Sequence, residues 1–307
     1  MLRLSAPPGE SLEATPHLDV RAAGTEANVA VTLARVGFHA AWISRLVDDP
    51  LGRRIANEMR RHGVDTSAIA WTQSGRTGLY FLEPAAAPRG VALYYDRTGS
   101  AASQITPADI DWEFVRSARW AHVTGITVAL GESAAATVAR FLDECRMHGV
   151  KTSFDINHRR KLWSAERARA ALEPLARGLD LLIASHDDAA EVFALGGSPE
   201  AQASDLRRRF EARAAVVTAG EGGAYLADAG GVRHESAVPG VEVDRIGRGD
   251  ALAAGLLWGA LEGDLSAGLR YGVALATLAG TYHGDVAWST RRDVLDVLAG
   301  RDSKPRR

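Results

Sequence analysis

Residues 241–261 carry an extended run, Val241-Glu242-Val243-Asp244, a turn, Gly247-Arg248-Gly249-Asp250, and then a helix of small residues. No other stretch limits so sharply what this chain can fold into. Paired glycines let a backbone turn abruptly and approach a ligand closely. The amides that open a helix have no partner within it and lie at the positive end of its dipole. Strand, turn and helix together make a site for an anion, typically phosphate. A carboxylate at Asp250 would repel that anion unless it serves to take a proton from an attacking hydroxyl. An anion cradle beside a base points to phosphoryl transfer to an alcohol. A bare Gly-x-Gly-Asp is also an ordinary strand-to-helix turn capped by its aspartate, so the rest of the chain has to decide.

The rest of the chain alternates. Hydrophobic patterning predicts strands at 39–45, 119–124, 151–157, 179–185 and 214–219, and helices at 25–37, 49–62, 132–148, 165–175, 187–195 and 200–213. Repeated strand-helix units imply an α/β fold with a mostly parallel sheet covered on both faces. Ligands on such sheets sit at the carboxyl ends of the strands. Gly125, Asn157, Arg159, Gly220 and the turn at Gly247 all fall there. Residues 70–97 break the rhythm: 78–83 and 91–96 read as a hairpin joined by a Pro/Gly-rich segment, 84–90. An aromatic hairpin inserted into an α/β chain suggests a lid, a surface for a partner, or an edge of the main sheet.

Composition removes several function classes. A net charge of −2 gives no reason to expect nucleic acid or an anionic membrane as partner. Cys145 is the sole cysteine, so disulfides and cysteine metal sites are out, which fits a reducing cytoplasm. Neither a signal peptide nor an apolar stretch of the ~20 residues needed to span a membrane is visible. The lysines are Lys151, Lys161 and Lys304, none in a glycine-rich turn, which excludes a P-loop. No Gly-x-Gly-x-x-Gly follows an early strand, and no His-Glu-x-x-His occurs.

Smaller constellations stand at strand ends. Asp155 and Asn157 point to one side of an extended chain, and Arg159 offers a planar fork for carboxylate or phosphate, or forms a surface ion pair. Thr218-Ala219-Gly220-Glu221-Gly222-Gly223 exposes backbone amides to an anion or makes a plain turn. Tyr80, Tyr95 and Arg97 belong to the hairpin, where aromatics also pack for their own sake.

Taken together, these motifs resemble the ribokinase-like (phosphofructokinase B type) carbohydrate kinases over nearly the whole chain. Residues 244–255 resemble that family's Asp-x-x-Gly-x-Gly-Asp signature, with Arg248 where a small residue is usual. Ala23-Gly24-Thr25-Glu26-Ala27-Asn28-Val29-Ala30, Thr77-Gly78-Leu79-Tyr80, Tyr95-Asp96-Arg97, Thr124-Gly125-Ile126-Thr127, Asp155-x-Asn157-x-Arg159, Leu162-Trp163-Ser164 and Gly284-Asp285 resemble the 2-keto-3-deoxygluconate kinases within it. The resemblance implies a single ribokinase-like three-layer sandwich over 1–307, with lid strands around 10–24 and 70–102 and a disordered tail at 301–307.

It further implies a cytoplasmic, ATP- and Mg²⁺-dependent kinase acting on the 6-hydroxyl of 2-keto-3-deoxygluconate. Alternatives are the galactonate epimer, 5-dehydro-2-deoxygluconate or a weakened sugar-acid binder. Gly24, Asn28, Tyr80, Tyr95, Arg97 and Arg159 would hold the sugar acid. Asp250 would be the base, with Gly247, Arg248 and Gly249 forming the anion hole. Asn157, Ser185, Thr218, Gly220, Gly223, Gly247 and Gly249 would border ATP. Asp188 stands where relatives carry a glutamate tied to Mg²⁺, and the lid would join copies in a homo-oligomer. Such kinases carry an apolar strand ahead of the Leu2-Arg3-Leu4 segment. Leu2 and Leu4 supply too little for a central first strand, so either residues upstream of Met1 or an imperfect fit of residues 1–10 is expected.

Overall fold

The computed structural model describes residues 1–85 and 88–301. The chain begins with β1 (Leu2–Ser5), β2 (Asp19–Ala22), α1 (Thr25–Arg35), β3 (Ser44–Val47), α2 (Pro50–Arg61), β4 (Ile69–Thr72), β5 (Leu79–Glu83) and β6 (Ala92–Asp96). It continues through α3 (Trp112–Arg116), β7 (Trp120–Thr124), α4 (Gly125–Ala129), α5 (Glu132–Met147), β8 (Lys151–Asp155), α6 (Ala165–Leu172), β9 (Leu181–Ser185), α7 (His186–Phe193) and α8 (Pro199–Arg209). It closes with β10 (Ala214–Thr218), β11 (Ala224–Asp228), β12 (Gly231–Glu235), α9 (Arg248–Glu262), α10 (Leu265–Ala279) and α11 (Arg291–Leu298).

A six-stranded sheet in the order β12-β11-β10-β9-β8-β7 forms the middle layer. β7 to β10 are parallel, and β11 and β12 add an antiparallel edge. Side chains alternate across it with the period of two that a pleated strand imposes. Leu181, Ile183, Ala214 and Val216 pack under α1, α9 and α10, whereas Leu182, Ala184, Ala215 and Val217 pack under α5 to α8. Burial on both faces explains why these strands read as continuous apolar runs. The helices between β8 and β10 start where their caps dictate: Ser164, Ser185 and Ser198 accept from the backbone of the first turn of α6, α7 and α8.

β2-β1-β5-β6 form a separate four-stranded sheet, the lid. Its two faces differ. Tyr80 and Tyr95, paired across β5 and β6, line the main cavity. Val20, Leu4, Phe81 and Tyr94 form a row on the opposite face, and Tyr94 is 59% exposed.

Several expectations need correction. The strand expected at 39–45 lies at Ser44–Val47, and only Ala41 makes a bridge, to Asp65, within 39–43. Val241-Glu242-Val243-Asp244 is not a strand; it is fastened by Val243 and Asp244 amides donating to the Gly280 carbonyl. The hairpin β11-β12 goes beyond the expected strands, which end at 219; residues 218–223, expected to offer amides to an anion or to make a plain turn, lead into it. Leu2 and Leu4 do suffice for a strand: β1 is paired on both sides, to β2 and β5, and Leu2 is 1% exposed. That strand lies in the lid and not in the central sheet. The central sheet ends at β7, the two-stranded β3-β4 sheet ends at β3, and residues of both edges line one cavity. Among the described residues no strand stands between them. Most of the expected tail, 302–307, and part of the hairpin connection lie outside the described residues.

Candidate active site

One cavity of about 1280 Å³ opens between the lid and the carboxyl ends of the central strands. Thr124, Asp155, Ser185 and Thr218 end β7 to β10. Of the residues expected at the site, Gly24, Asn28, Tyr80, Tyr95, Arg97, Asn157, Arg159, Ser185, Asp188, Thr218, Gly247, Gly249 and Asp250 line this one space. Gly220, Gly223 and Arg248 do not line it.

The phosphate cradle is built as its glycines require. Gly247 caps α9 with φ of 81°, and a Cβ there would lie 2.0 Å from the Asp285 carbonyl oxygen. Any side chain at 247 therefore breaks the turn. The amides of Arg248, Gly249 and Asp250 open the helix, and the first intrahelical bond is Ala251 N–H to the Gly247 carbonyl, 2.9 Å. Helix α9 is seated by close backbone contact with α10: a Cβ on Gly255 would sit 2.3 Å from the Gly272 Cα. The Arg248 side chain points away from the cradle, its guanidinium bonding Glu242 at 2.6 Å and the Ala276 carbonyl at 3.2 Å. Arg248 thus contributes only backbone.

Asp250 is buried at the start of α9 and accepts a 2.7 Å hydrogen bond from the Asn28 amide on α1. Burial pushes its carboxyl up to about 7; the Asn28 bond and the Arg159 charge hold it down from going further. A carboxylate poised there is matched to proton abstraction near neutral pH.

Arg97 faces the same space. It is 8% exposed, stacks over the Tyr95 ring at 4.3 Å, and has two nitrogens, Nε and Nη2, buried without a partner among the described residues. Burial lowers the pKa of this guanidinium, and the neighbouring charge of Arg159 lowers it further. Unpartnered buried donors call for an acceptor, and a site with two arginines calls for an anionic one.

Asp155 and Asp188 form a carboxylate pair deeper under the strand ends. Burial, then the charges of Asp188 and Asp250, push Asp155 up to about 8, and burial raises Asp188 too. Asp188 accepts weakly from the His158 amide at 3.3 Å. Asn157 takes a left-handed φ of 42° and donates to Asp155 at 3.1 Å. Among the described residues no three His, Cys, Asp or Glu side chains form a metal cluster. Ser185 is the cap of α7 as well as a cavity residue.

Four contributors have no role assigned from the sequence, although Glu26, Asp244 and Asp285 stand in its motifs. Glu26 accepts from Thr25, Thr124 and Thr127 at 2.6–3.1 Å and ties α1 to the β7–α4 turn. Arg3, Asp244 and Asp285 form a buried charge cluster beneath the lid. A lone arginine between two leucines in the first strand was the available signal. Tyr80, expected to contact sugar, directs its hydroxyl to Asp285 at 2.6 and 2.8 Å.

Comparison with known proteins identifies the family. The model of the pfkB family carbohydrate kinases matches residues 2–291. The chain is 40% identical to 2-dehydro-3-deoxygalactonokinase of Haloferax volcanii over 99% of its length and 95% of that protein. It is 32% identical to 2-dehydro-3-deoxygluconokinase of Thermoproteus tenax, over 82% of this chain and 77% of that one. The crystal structure of 2-dehydro-3-deoxygluconokinase from Thermotoga maritima superposes with a TM-score of 0.91 at 30% identity, over 98% and 96% of the two chains. A ribokinase-like sandwich, an aspartate at the head of a glycine-turned helix and an arginine-lined cavity occur here in one chain, which belongs to the pfkB family and is a carbohydrate kinase.

Proposed function

We propose that this kinase phosphorylates the terminal 6-hydroxyl of a six-carbon 2-keto-3-deoxy sugar acid, with ATP as donor. The observation that carries the reading is Arg97, a buried arginine with two unpartnered nitrogens in the same cavity as Asp250. A neutral sugar would leave those donors and the Arg159 charge without an acceptor, a loss of roughly 1–3 kcal/mol for each unsatisfied group. The first relative named above acts on the galactonate epimer, which favours that epimer for this chain; the gluconate epimer is the second reading.

In this reading Arg97 and Arg159 fix the carboxylate end of the substrate and Asn28 orients the other. Asp250 takes the proton of the terminal hydroxyl as the hydroxyl oxygen attacks the γ-phosphorus. The bond from that phosphorus to the bridging oxygen of ADP breaks, and the amides of Arg248, Gly249 and Asp250 stabilise the charge on the transferring group. Thr218 and Ser185 border the nucleotide. Asp155 and Asp188 are hard oxygen donors whose crowding favours a cation, and they fit a Mg²⁺ held mainly through water and phosphate. When bound, that ion neutralises charge on the phosphates. The weakened-binder alternative is disfavoured because Arg248 turns out of the cradle and Asp250 is intact.

We also infer that the outer row of the lid, Val20, Leu4, Phe81 and Tyr94, packs against a second copy of the chain. An apolar row on an open sheet face is a candidate for such a contact. Tyr94→Asp should shift the oligomer toward monomer in light scattering; an unchanged mass would remove the lid from the interface.

ADP release coupled to a reporter, screened over both keto-deoxy epimers, 5-keto-2-deoxygluconate, ribose and fructose, tests the substrate reading. Turnover is expected with a keto-deoxy acid. Better turnover with a neutral sugar would overturn it.

A further inference from the structure

A densely connected buried cluster lies between the lid and the phosphate cradle, at the wall of the cavity that Tyr80 and Asp285 also line. Arg3, in the lid strand β1, is 2% exposed. Its Nη2 bonds Asp244 at 2.5 Å, its Nη1 bonds Asp285 at 2.8 Å, and its Nε bonds Ser5 at 2.6 Å. Tyr80, in the lid strand β5 paired beside Arg3, donates its hydroxyl to Asp285. Asp244 then reaches the flank of the cradle with its carboxylate, and Asp285 abuts it with its backbone carbonyl. Asp244 accepts from the Ile246 amide and from the Gly284 amide, both at 3.1 Å. The Asp285 carbonyl sits against the Gly247 Cα so closely that a Cβ would come within 2.0 Å.

From this geometry we propose that Arg3, together with Tyr80, is a positioning residue that makes the lid sheet and the Gly247 turn move as one unit. The consequence is that the phosphoryl cradle is correctly formed only when the lid is in its seat over the sugar. The cluster reaches across 241 and 282 positions of the chain, so no local element holds it together. A small shift of β1 or β5 would separate a guanidinium from two buried carboxylates, and buried charges left unpaired are strongly unfavourable. The link therefore has two states, engaged or broken, and does not stretch gradually. Engaged, it fixes both flanks of the turn whose amides receive the phosphoryl group. Broken, it frees Ile246 and Gly247 to leave the geometry that α9 needs for anion binding. ATP turnover without sugar would thereby be suppressed. This inference rests on the kinase reading above for its kinetic consequence, but not for its mechanical one.

Two measurements test it. Amide hydrogen exchange on the ligand-free protein reads the mechanical link without any substrate. In the wild type, the amides of β1, β5 and residues 244–250 should open with one common rate. In Tyr80→Phe, which removes a single hydroxyl and keeps both ion pairs, the 244–250 amides should open faster than those of β1 and β5. Kinetics read the consequence: the ratio of ATP turnover with saturating sugar acid to turnover without it should fall about 5-fold or more in Tyr80→Phe and in Arg3→Lys. Most of that fall should lie in kcat, with KM for the sugar acid little changed. If both variants only lower the melting temperature, with common opening and the sugar stimulation unchanged per folded molecule, the cluster is a structural staple and the proposal fails. If the wild type turns over no sugar acid, the substrate reading fails while the exchange result still decides the link.

Discussion

The side-chain amide of Asn28 on α1 donates to Oδ2 of Asp250 on α9 at 2.7 Å, joining residues 222 positions apart. The bond favours the ionised form of a carboxylate that burial, even against this bond, pushes up to about 7. The base form appears as pH rises, so kcat/KM should climb on an acid limb near 7 and then level off. Removing the Asn28 donor, as in Asn28→Ala, should move that limb to higher pH. Asp250→Asn should lower kcat by the ~10²–10⁴-fold expected for loss of a general base, with the fold intact by circular dichroism. Turnover near wild type in that variant would take Asp250 out of the mechanism.

Arg97 has donors waiting for an acceptor. Arg97→Met keeps a long apolar stem and removes the charge. KM for the sugar acid should rise about 10- to 150-fold, the cost of roughly 1.5–3 kcal/mol for a charge-assisted bond, while KM for ATP stays close to wild type. Equal rises in both would place Arg97 on the nucleotide side.

Arg248 spends its guanidinium on Glu242 and the Ala276 carbonyl. Arg248→Ala should keep kcat within about tenfold of wild type, roughly 1.4 kcal/mol of barrier. Complete loss of activity would show that the side chain reaches phosphate during turnover.

The ligand-free protein should be less stable at pH 8.5 than at pH 6. Asp250 and Asp155 are pushed up to about 7 and about 8, and Asp188 is raised in the same direction, all chiefly by burial. An unfolded aspartate titrates near ~3.9. Because the folded values lie above the unfolded one, the stability these groups add is present below ~4 and is lost as pH rises through 7 to 8. Calorimetry across that range should show the melting temperature falling, with a shallower fall in Asp155→Asn. A flat or rising profile would contradict the buried, carboxylate-crowded site.

The unpaired flank of β7 should exchange its amides faster than β9. β9 is hydrogen-bonded to β8 and β10, whereas among the described residues β7 is bonded only to β8, and it faces the cavity it shares with β3. Open edges are the less protected part of a sheet. Equal protection of Trp120–Thr124 and Leu181–Ser185 would mean that something covers the β7 edge in solution.

Much of this molecule was legible in its residues because the physics involved is local. The apolar runs of β8, β9 and β10, alternating with helical stretches, imply a parallel sheet covered on both faces. Gly247, Gly249 and Asp250 point to an anion-binding helix end, since paired glycines admit a sharp turn into a helix whose first amides are free. What required the tertiary structure were relationships between residues far apart in the chain. Arg3 reads as a charge misplaced in an apolar strand until Asp244 and Asp285 are brought to it. Tyr80 lines the cavity as expected, but only the fold shows its hydroxyl on Asp285. Arg248 stands where a small residue is usual, and only the fold shows where its side chain goes, to Glu242. The protonation of Asp250 and Asp155 depends on burial and on charges gathered from five or more separate segments. Period and capping are properties of a few consecutive residues. Desolvation and ion pairing belong to whatever the fold sets side by side, and no window of sequence contains them.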